Sequence, residues 1–286
     1  SEMEVKLSSH IFFFWVKNNI ELYDYHLKGS FNTKNKLFNA TLNDNLDIKI
    51  KDTIDIEARD IGINMNAIVD LKNSITYDSQ AKSDIQVKID AWNSYVYISE
   101  DRHALSDEMY LYYENEILTA GILYKEGVSG LKYEDDVFHA YGENFNDEFM
   151  DQLFALSDFE GGELGFNLSG NTKKYEGIFT VKDTIIIDYK VLNNVLAFVN
   201  TIPSLVTLSA PGYNAKGLHL KNAYMKFMAE DDIFTMSDIY FNSPELDILG
   251  NGTASFKTND INVTLQLKTD IGSSVSQVHY LTLYNL

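Results

Sequence analysis

Ile261-Asn262-Val263-Thr264-Leu265-Gln266-Leu267-Lys268 places an apolar residue at every odd position and a polar one at every even position. Successive side chains of a β-strand point to opposite faces, so this run offers one face to a core and the other to water. The same period continues outward. Ile248, Gly250, Gly252 and Ala254 precede it, and before them come the pairs Leu218/Leu220, Met225/Phe227, Phe234/Met236 and Ile239/Phe241. The stretch 190–270 is therefore the part around which the chain is organised.

The first half has the same texture. Ile48, Ile50, Ile54, Ile56 and Ala58 alternate with charged residues. Ile61, Ile63, Met65, Ala67, Val69 and Leu71 keep the same period with mostly uncharged residues between them, and Ile85, Val87, Ile89 and Ala91 alternate with Asp84, Gln86, Lys88 and Asp90. β-Branched and aromatic residues favour the pleated surface. Polar breaks at residues 32–36, 42–45 and 77–80 read as turns between neighbouring strands, which predicts an antiparallel meander. Ser106-Asp107-Glu108 and residues 143–147 read as acidic turns.

Two segments have helical spacing. Residues 144–156 carry Phe149, Met150, Leu153, Phe154 and Leu156 as a stripe, with Asn144 as the expected cap and Asp147 and Glu148 in the first turn. Residues 191–201 place Leu192, Val195, Leu196 and Val199 on one face, widened by Phe198, and Pro203 closes the segment. This helix is expected to plug one end of a sheet. Two short helices cannot cover so many one-sided strands. The fold class is mostly β: a long curled antiparallel sheet, forming an open groove or a partly closed sandwich. The expected division is a β-rich meander over 1–144 and a second region over 145–286, joined as one continuous sheet.

The chain has 286 residues, 45% of them hydrophobic, which supports a sizeable core. Its formal net charge of −19 repels phosphate backbones and anionic headgroups, so nucleic acid is not an expected partner. The absence of cysteine excludes disulfides, thiolate metal sites and a cysteine nucleophile. The apolar run Ile11-Phe12-Phe13-Phe14-Trp15-Val16 is too short to span a bilayer. The chain opens without an initiator methionine and reads as a piece of something longer, or as a processed form.

No chemical constellation stands out. The six histidines are scattered, and no metal ligand set, nucleophile elbow, phosphate loop or dinucleotide fingerprint is present. Asp135-Asp136 and Asp231-Asp232 read as solvated turn acids; on a strand, neighbouring acids would face opposite sides and could not converge on one bond. No enzyme activity, cofactor or metal is expected. Tyr95, Tyr97, Tyr110, Tyr112, Tyr113 and Tyr124 form an aromatic zone that cross-strand pairing explains, with a carbohydrate- or lipid-contacting face as the alternative.

One ordered series points further. An apolar helix ends in Asn200-Thr201-Ile202-Pro203-Ser204-Leu205, and Pro211-Gly212-Tyr213-Asn214-Ala215-Lys216-Gly217-Leu218 follows. Then come Asp231-Asp232-Ile233-Phe234-Thr235-Met236, Ser243-Pro244-Glu245-Leu246-Asp247-Ile248-Leu249-Gly250-Asn251-Gly252 and the closing alternating strand. Over residues 160–272 this resembles the AsmA-like C-terminal region of the AsmA/YhdP/TamB group of bacterial envelope proteins. The resemblance departs after Asp270, where the expected Pro-containing apolar segment is replaced by Val278-His279-Tyr280-Leu281-Thr282-Leu283-Tyr284.

The resemblance implies a periplasmic protein held in the inner membrane by an N-terminal anchor that this chain does not contain. It also implies a sheet with an apolar groove, and a role in phospholipid transfer or outer-membrane biogenesis. The implied partners are a phospholipid or another acyl-chain ligand, and the bacterial membrane. The acyl-chain surface would then include Leu218, Leu220, Ile239, Phe241, Ile248, Val263, Leu265 and Leu267. A closed β module serving as an envelope scaffold, and a carbohydrate-binding β protein, are the alternatives.

Overall fold

The computed structural model describes residues 2–8, 14–16, 20–21, 24–64, 86–99, 102–154, 159–171, 173–186, 213–214, 217–231, 233–244, 246–255, 258, 260–271 and 275–284. The fold is mostly β, antiparallel and not closed, with a single α-helix among the described residues. The predicted helix at 191–201 lies outside them. The chain divides into two compact units. Unit 1 is Ser1–Asp135 with Gln152–Ala155, and unit 2 is Asp136–Asp151 with Leu156–Leu286.

Unit 1 contains β1 (Glu2–Ser8), β2 (Phe14–Val16), β3 (Ile20–Glu21), β4 (Asp24–Asn32), β5 (Leu37–Leu42) and β6 (Leu46–Ile50). It continues with β7 (Thr53–Arg59), β8 (Ile61–Asn64), β9 (Gln86–Ser99), β10 (Arg102–Glu114), β11 (Ile117–Tyr124) and β12 (Gly127–Glu134). Pairing runs β1–β4–β5–β6–β7 and β9–β10–β11–β12, all antiparallel. Tight turns make this possible. Asn115 and Glu116, between β10 and β11, both have positive φ (52° and 67°), the left-handed geometry that a two-residue hairpin turn requires.

The expected pure meander needs correcting at one point. β7 and β8 pair with β9 in parallel, Ile56 against Ile89 and Ile63 against Val96. A parallel neighbour cannot follow through a tight turn and needs a crossover. Residues 65–85, which include the expected turn at 77–80 and Met65 to Leu71, lie outside the described residues. Directly opposed residues share a face, so Leu46, Ala58, Ile61 and Ala91 form a buried cluster, flanked by Leu42, Ile56, Ile63 and Met109.

Asp60 (φ 53°) and Asn93 (φ 48°) kink adjacent strands together. Their side chains are hydrogen-bonded to each other, and the Asp60 N–H donates to the Trp92 carbonyl at 3.1 Å. The inward positions change from odd to even across the kink, from Ala91 to Ser94 and from half-buried Met109 to Ser106 and Ala104. Buried Ser106 Oγ donates to the Ser94 carbonyl at 2.6 Å. The expected acidic turn at Ser106-Asp107-Glu108 lies instead inside β10. Asp107 is accommodated there because it accepts the Lys125 N–H of the next turn at 2.7 Å.

Unit 2 contains β13 (Val137–Phe145), the first five residues of α1 (Asp147–Phe154), β14 (Phe159–Glu160), β15 (Glu163–Gly170), β16 (Lys174–Ile186) and β17 (Tyr213–Asn214). Then follow β18 (Gly217–Glu230), β19 (Ile233–Asn242), β20 (Leu246–Ser255), β21 (Asp260–Ile271) and β22 (Val275–Tyr284). The sheet order is β13–β15–β16–β18–β19–β20–β21–β22, antiparallel throughout. β14 and β17 add short pairings to β16 and β18. No pairing joins β13 to β22 among the described residues, so the sheet of unit 2 is open.

The cap of α1 is Asn146, two residues later than expected. Its Oδ1 accepts the Phe149 N–H at 3.1 Å, and its carbonyl accepts the Met150 N–H at 3.1 Å. Asn144 has φ 58° and belongs to a bulge at the end of β13. Residues 143–147 are thus strand end, bulge and cap, not a free turn. Asp147 Oδ2 also accepts the Gly161 N–H at 2.7 Å, which ties the start of the helix to the chain leaving it.

In β20, Gly252 faces Val263 across the ladder, and an added Cβ would stand 2.7 Å from the Val263 backbone Cα. Gly252→Val should therefore lower stability in urea by about 1–3 kcal/mol through overpacking. Equal unfolding midpoints for the two proteins would contradict this packing.

Candidate functional site: the apolar face of unit 2

The registers of unit 2 align four rows of residues across seven strands. One row is Phe145–Leu164–Val181–Ala223–Phe241–Ile248–Leu267, and the next is Gly142–Phe166–Phe179–Met225–Ile239–Gly250–Leu265. The third is Ala140–Leu168–Gly177–Phe227–Met236–Gly252–Val263, and the fourth is Phe138–Gly170–Tyr175–Ala229–Phe234–Ala254–Ile261. No position in these rows carries a charge. The opposite face is polar; one of its rows reads Glu163–Lys182–Asn222–Asn242–Asp247–Lys268.

Two bulges keep the rows in phase. The β13–β15 register shifts between Gly142 and Phe145, so both stay on the apolar face. The β19–β20 register shifts between Met236 and Ile239 to the same effect. Without these extra residues, everything beyond them would turn to the polar side.

An aromatic ladder crosses the rows diagonally. Phe145 stacks on Phe149 of α1 at 3.9 Å and lies 6.3 Å from Phe166. Phe166 neighbours Phe179 at 6.5 Å, Phe179 stacks on Phe227 at 5.2 Å, and Phe227 stacks on Phe234 at 4.5 Å. Tyr175 meets Phe227 edge-on at 6.2 Å. Such pairs add about 0.5–1.5 kcal/mol each beyond area burial. The Phe166 ring lies across Gly142, where any Cβ would collide with it. Glycine thus gives the ladder room to lie flat.

The face is graded. Ile239, Ile248, Val263, Leu265 and Leu267 are buried, Leu267 at 0% exposure. On the β13–β16 side Phe145 and Leu164, next to α1, are buried as well, whereas Phe138, Ala140, Phe166, Leu168, Tyr175 and Phe179 are half-buried.

Of the residues expected to contact acyl chains, Ile239, Phe241, Ile248, Val263, Leu265 and Leu267 share this one face, and Phe241 is half-buried. Leu220 is also buried but stands outside the four rows. It pairs with Thr184 beyond Asp183, whose φ of 49° switches the buried positions from odd to even. Leu218 of β18 pairs with Ile186 of β16, and its side chain lies outside the described residues. The expected plug residues Leu192, Val195, Leu196, Phe198 and Val199 also lie outside them. Sequence reasoning did not single out the ladder. Its signal was a phenylalanine in five separate alternating strands, and that becomes one feature only when the registers are known.

The tyrosine zone of unit 1 does not form one face. Tyr110 and Tyr112 lie on the charged side with ring centroids 5.0 Å apart, while Tyr113 pairs with Val87 and Leu118 on the apolar side. Tyr95 and Tyr97 each meet His103 edge-on at 5.3 Å. Tyr124 carries the Lys125 ammonium over its ring at 5.2 Å.

No group of three His, Asp or Glu residues among those described could hold a metal ion, and no described helix is long and apolar enough to cross a membrane. Comparison with family models, curated proteins and solved structures finds no match.

The Tyr112 hydroxyl donates to Asp90 Oδ1 at 2.7 Å, and this bond to a carboxylate raises the phenol above the usual tyrosine range. The neutral phenol is the favoured form in the folded state. Its contribution to stability is therefore present at neutral pH and lost as pH rises through the raised value. Ring-carbon NMR titration should show Tyr112 ionising later than a free tyrosine, and Asp90→Ala should bring it down. An unchanged titration in the variant would remove Asp90 as the cause.

Proposed function

We propose that this chain acts as the periplasmic part of an AsmA-like, membrane-anchored envelope protein, and that the apolar rows of unit 2 receive acyl chains during phospholipid transfer or outer-membrane biogenesis. One observation carries the reading: an uncharged face seven strands wide, crossed by an aromatic ladder whose Phe166 and Phe179 are half-buried. An acyl chain needs no hydrogen-bond partner, only continuous apolar surface and freedom from buried charge. Rows of near-equivalent side chains let it slide with little difference in binding from one strand to the next. Transfer along them needs no catalytic group. The ordered motif series from residue 160 to 272 points to the same class.

A scaffold reading has one observation in its favour. The β20–β21 end of the same face is buried. On that reading the rows are simply a protein core.

Photo-crosslinking separates the two. A benzoylphenylalanine placed at Phe179, on the ladder, should capture phospholipid from the producing cell. The same group at Thr180, on the opposite face, should capture none. Equal capture at both positions, or none at Phe179, would leave the scaffold reading standing. Met225→Glu should cut co-purifying lipid several-fold while circular dichroism still reports a β-sheet.

A further inference from the structure

From the polar face of unit 2 we infer a saccharide-binding site centred on Gly165. A depression of about 590 Å³ opens there across β13, β15 and β16, within the usual range of small-molecule sites, ~300–1,000 Å³. Two backbone features make it. Gly165 forms the floor, where an added Cβ would lie 2.7 Å from Thr180 Oγ1. Beside it, the bulge at Glu143 and Asn144 interrupts the β13–β15 ladder.

The rim has the chemistry of a sugar contact. Tyr141 is 48% exposed and stands in register with Asn167, which pairs with Ile178. Glu163 stands opposite Lys182. Among the described residues, the side chains of Tyr141, Glu143, Glu163, Asn167 and Lys182 have no hydrogen-bond, ion-pair or ring partner. A pyranose ring presents a C–H face that packs on an aromatic side chain and a belt of hydroxyls that both donate and accept. The two carboxylates accept, the ammonium donates, and the Asn167 amide does both. Two carboxylates against one ammonium disfavour an anionic ligand, so a neutral or amino sugar is the class that fits. The acyl-chain surface lies on the opposite face, so either reading can fail without the other.

The test titrates the full chain with chitotriose, cellotriose and maltotriose, followed by calorimetry and saturation-transfer NMR. At least one trisaccharide should bind at millimolar concentration or below. Tyr141→Ala should weaken it about tenfold, equivalent to ~1.4 kcal/mol. Gly165→Val should abolish binding, whereas Tyr110→Ala, an exposed tyrosine in unit 1, should leave it unchanged. If Gly165→Val fails to fold, Tyr141→Ala decides. Absence of binding by all three sugars, or undiminished affinity in Tyr141→Ala, overturns the inference.

Discussion

Phe227 lies flat between Phe179 and Phe234, with Tyr175 edge-on, and the registers of β16, β18 and β19 depend on that contact. A slip of one residue would put Lys226 or Met228 in its place and carry every later side chain to the wrong face. The stack is therefore both a packing interaction and a register lock. Its strand partners hold the same phase through bulges, which insert a residue where the sequence would otherwise drift. The apolar face is continuous because these local corrections agree with one another.

Charge is distributed by the same rule. The rows around Phe227 carry none, and the acidic excess lies on the other face and in the turns. Arg59 lies over Trp92 at 5.2 Å and Lys88 over Tyr112 at 5.3 Å. The ion pairs, such as Lys174 with Glu230 at 3.1 Å, have exposed side chains and contribute little. Burial on the apolar faces supplies most of the stability, and the polar faces are left to solubility and recognition.

Much of this was legible in the sequence, for a physical reason. Alternation reports directly which side of a strand is buried, so Ile261 to Lys268 and its neighbours could be read as strands with known faces. Between Met236 and Ile239 the apolar positions change from even to odd, and only the register shows that a bulge absorbs the change. Strand direction leaves no such trace: Ile85, Val87, Ile89 and Ala91 alternate identically beside a parallel or an antiparallel neighbour. The helix cap was misplaced because Asn144 and Asn146 are both good capping residues, and the bulge that consumes Asn144 is a property of the sheet. Leu220 looked equivalent to Ile239 because a single left-handed residue, Asp183, changes the count without altering composition. The tyrosines looked like one zone because proximity in sequence hides the fact that Tyr112 and Tyr113 face opposite sides.

From β18 to β22, each strand pairs with the one synthesised just before it. Closing a short loop costs little entropy, so this part of the sheet can lengthen strand by strand as the chain leaves the ribosome. In unit 1, β7 meets β9 only after the whole crossover has been made. Until then its edge is an open template in a crowded cell, and the charged residues Asp55, Glu57 and Arg59 along it are the kind that discourage a stranger from pairing there first.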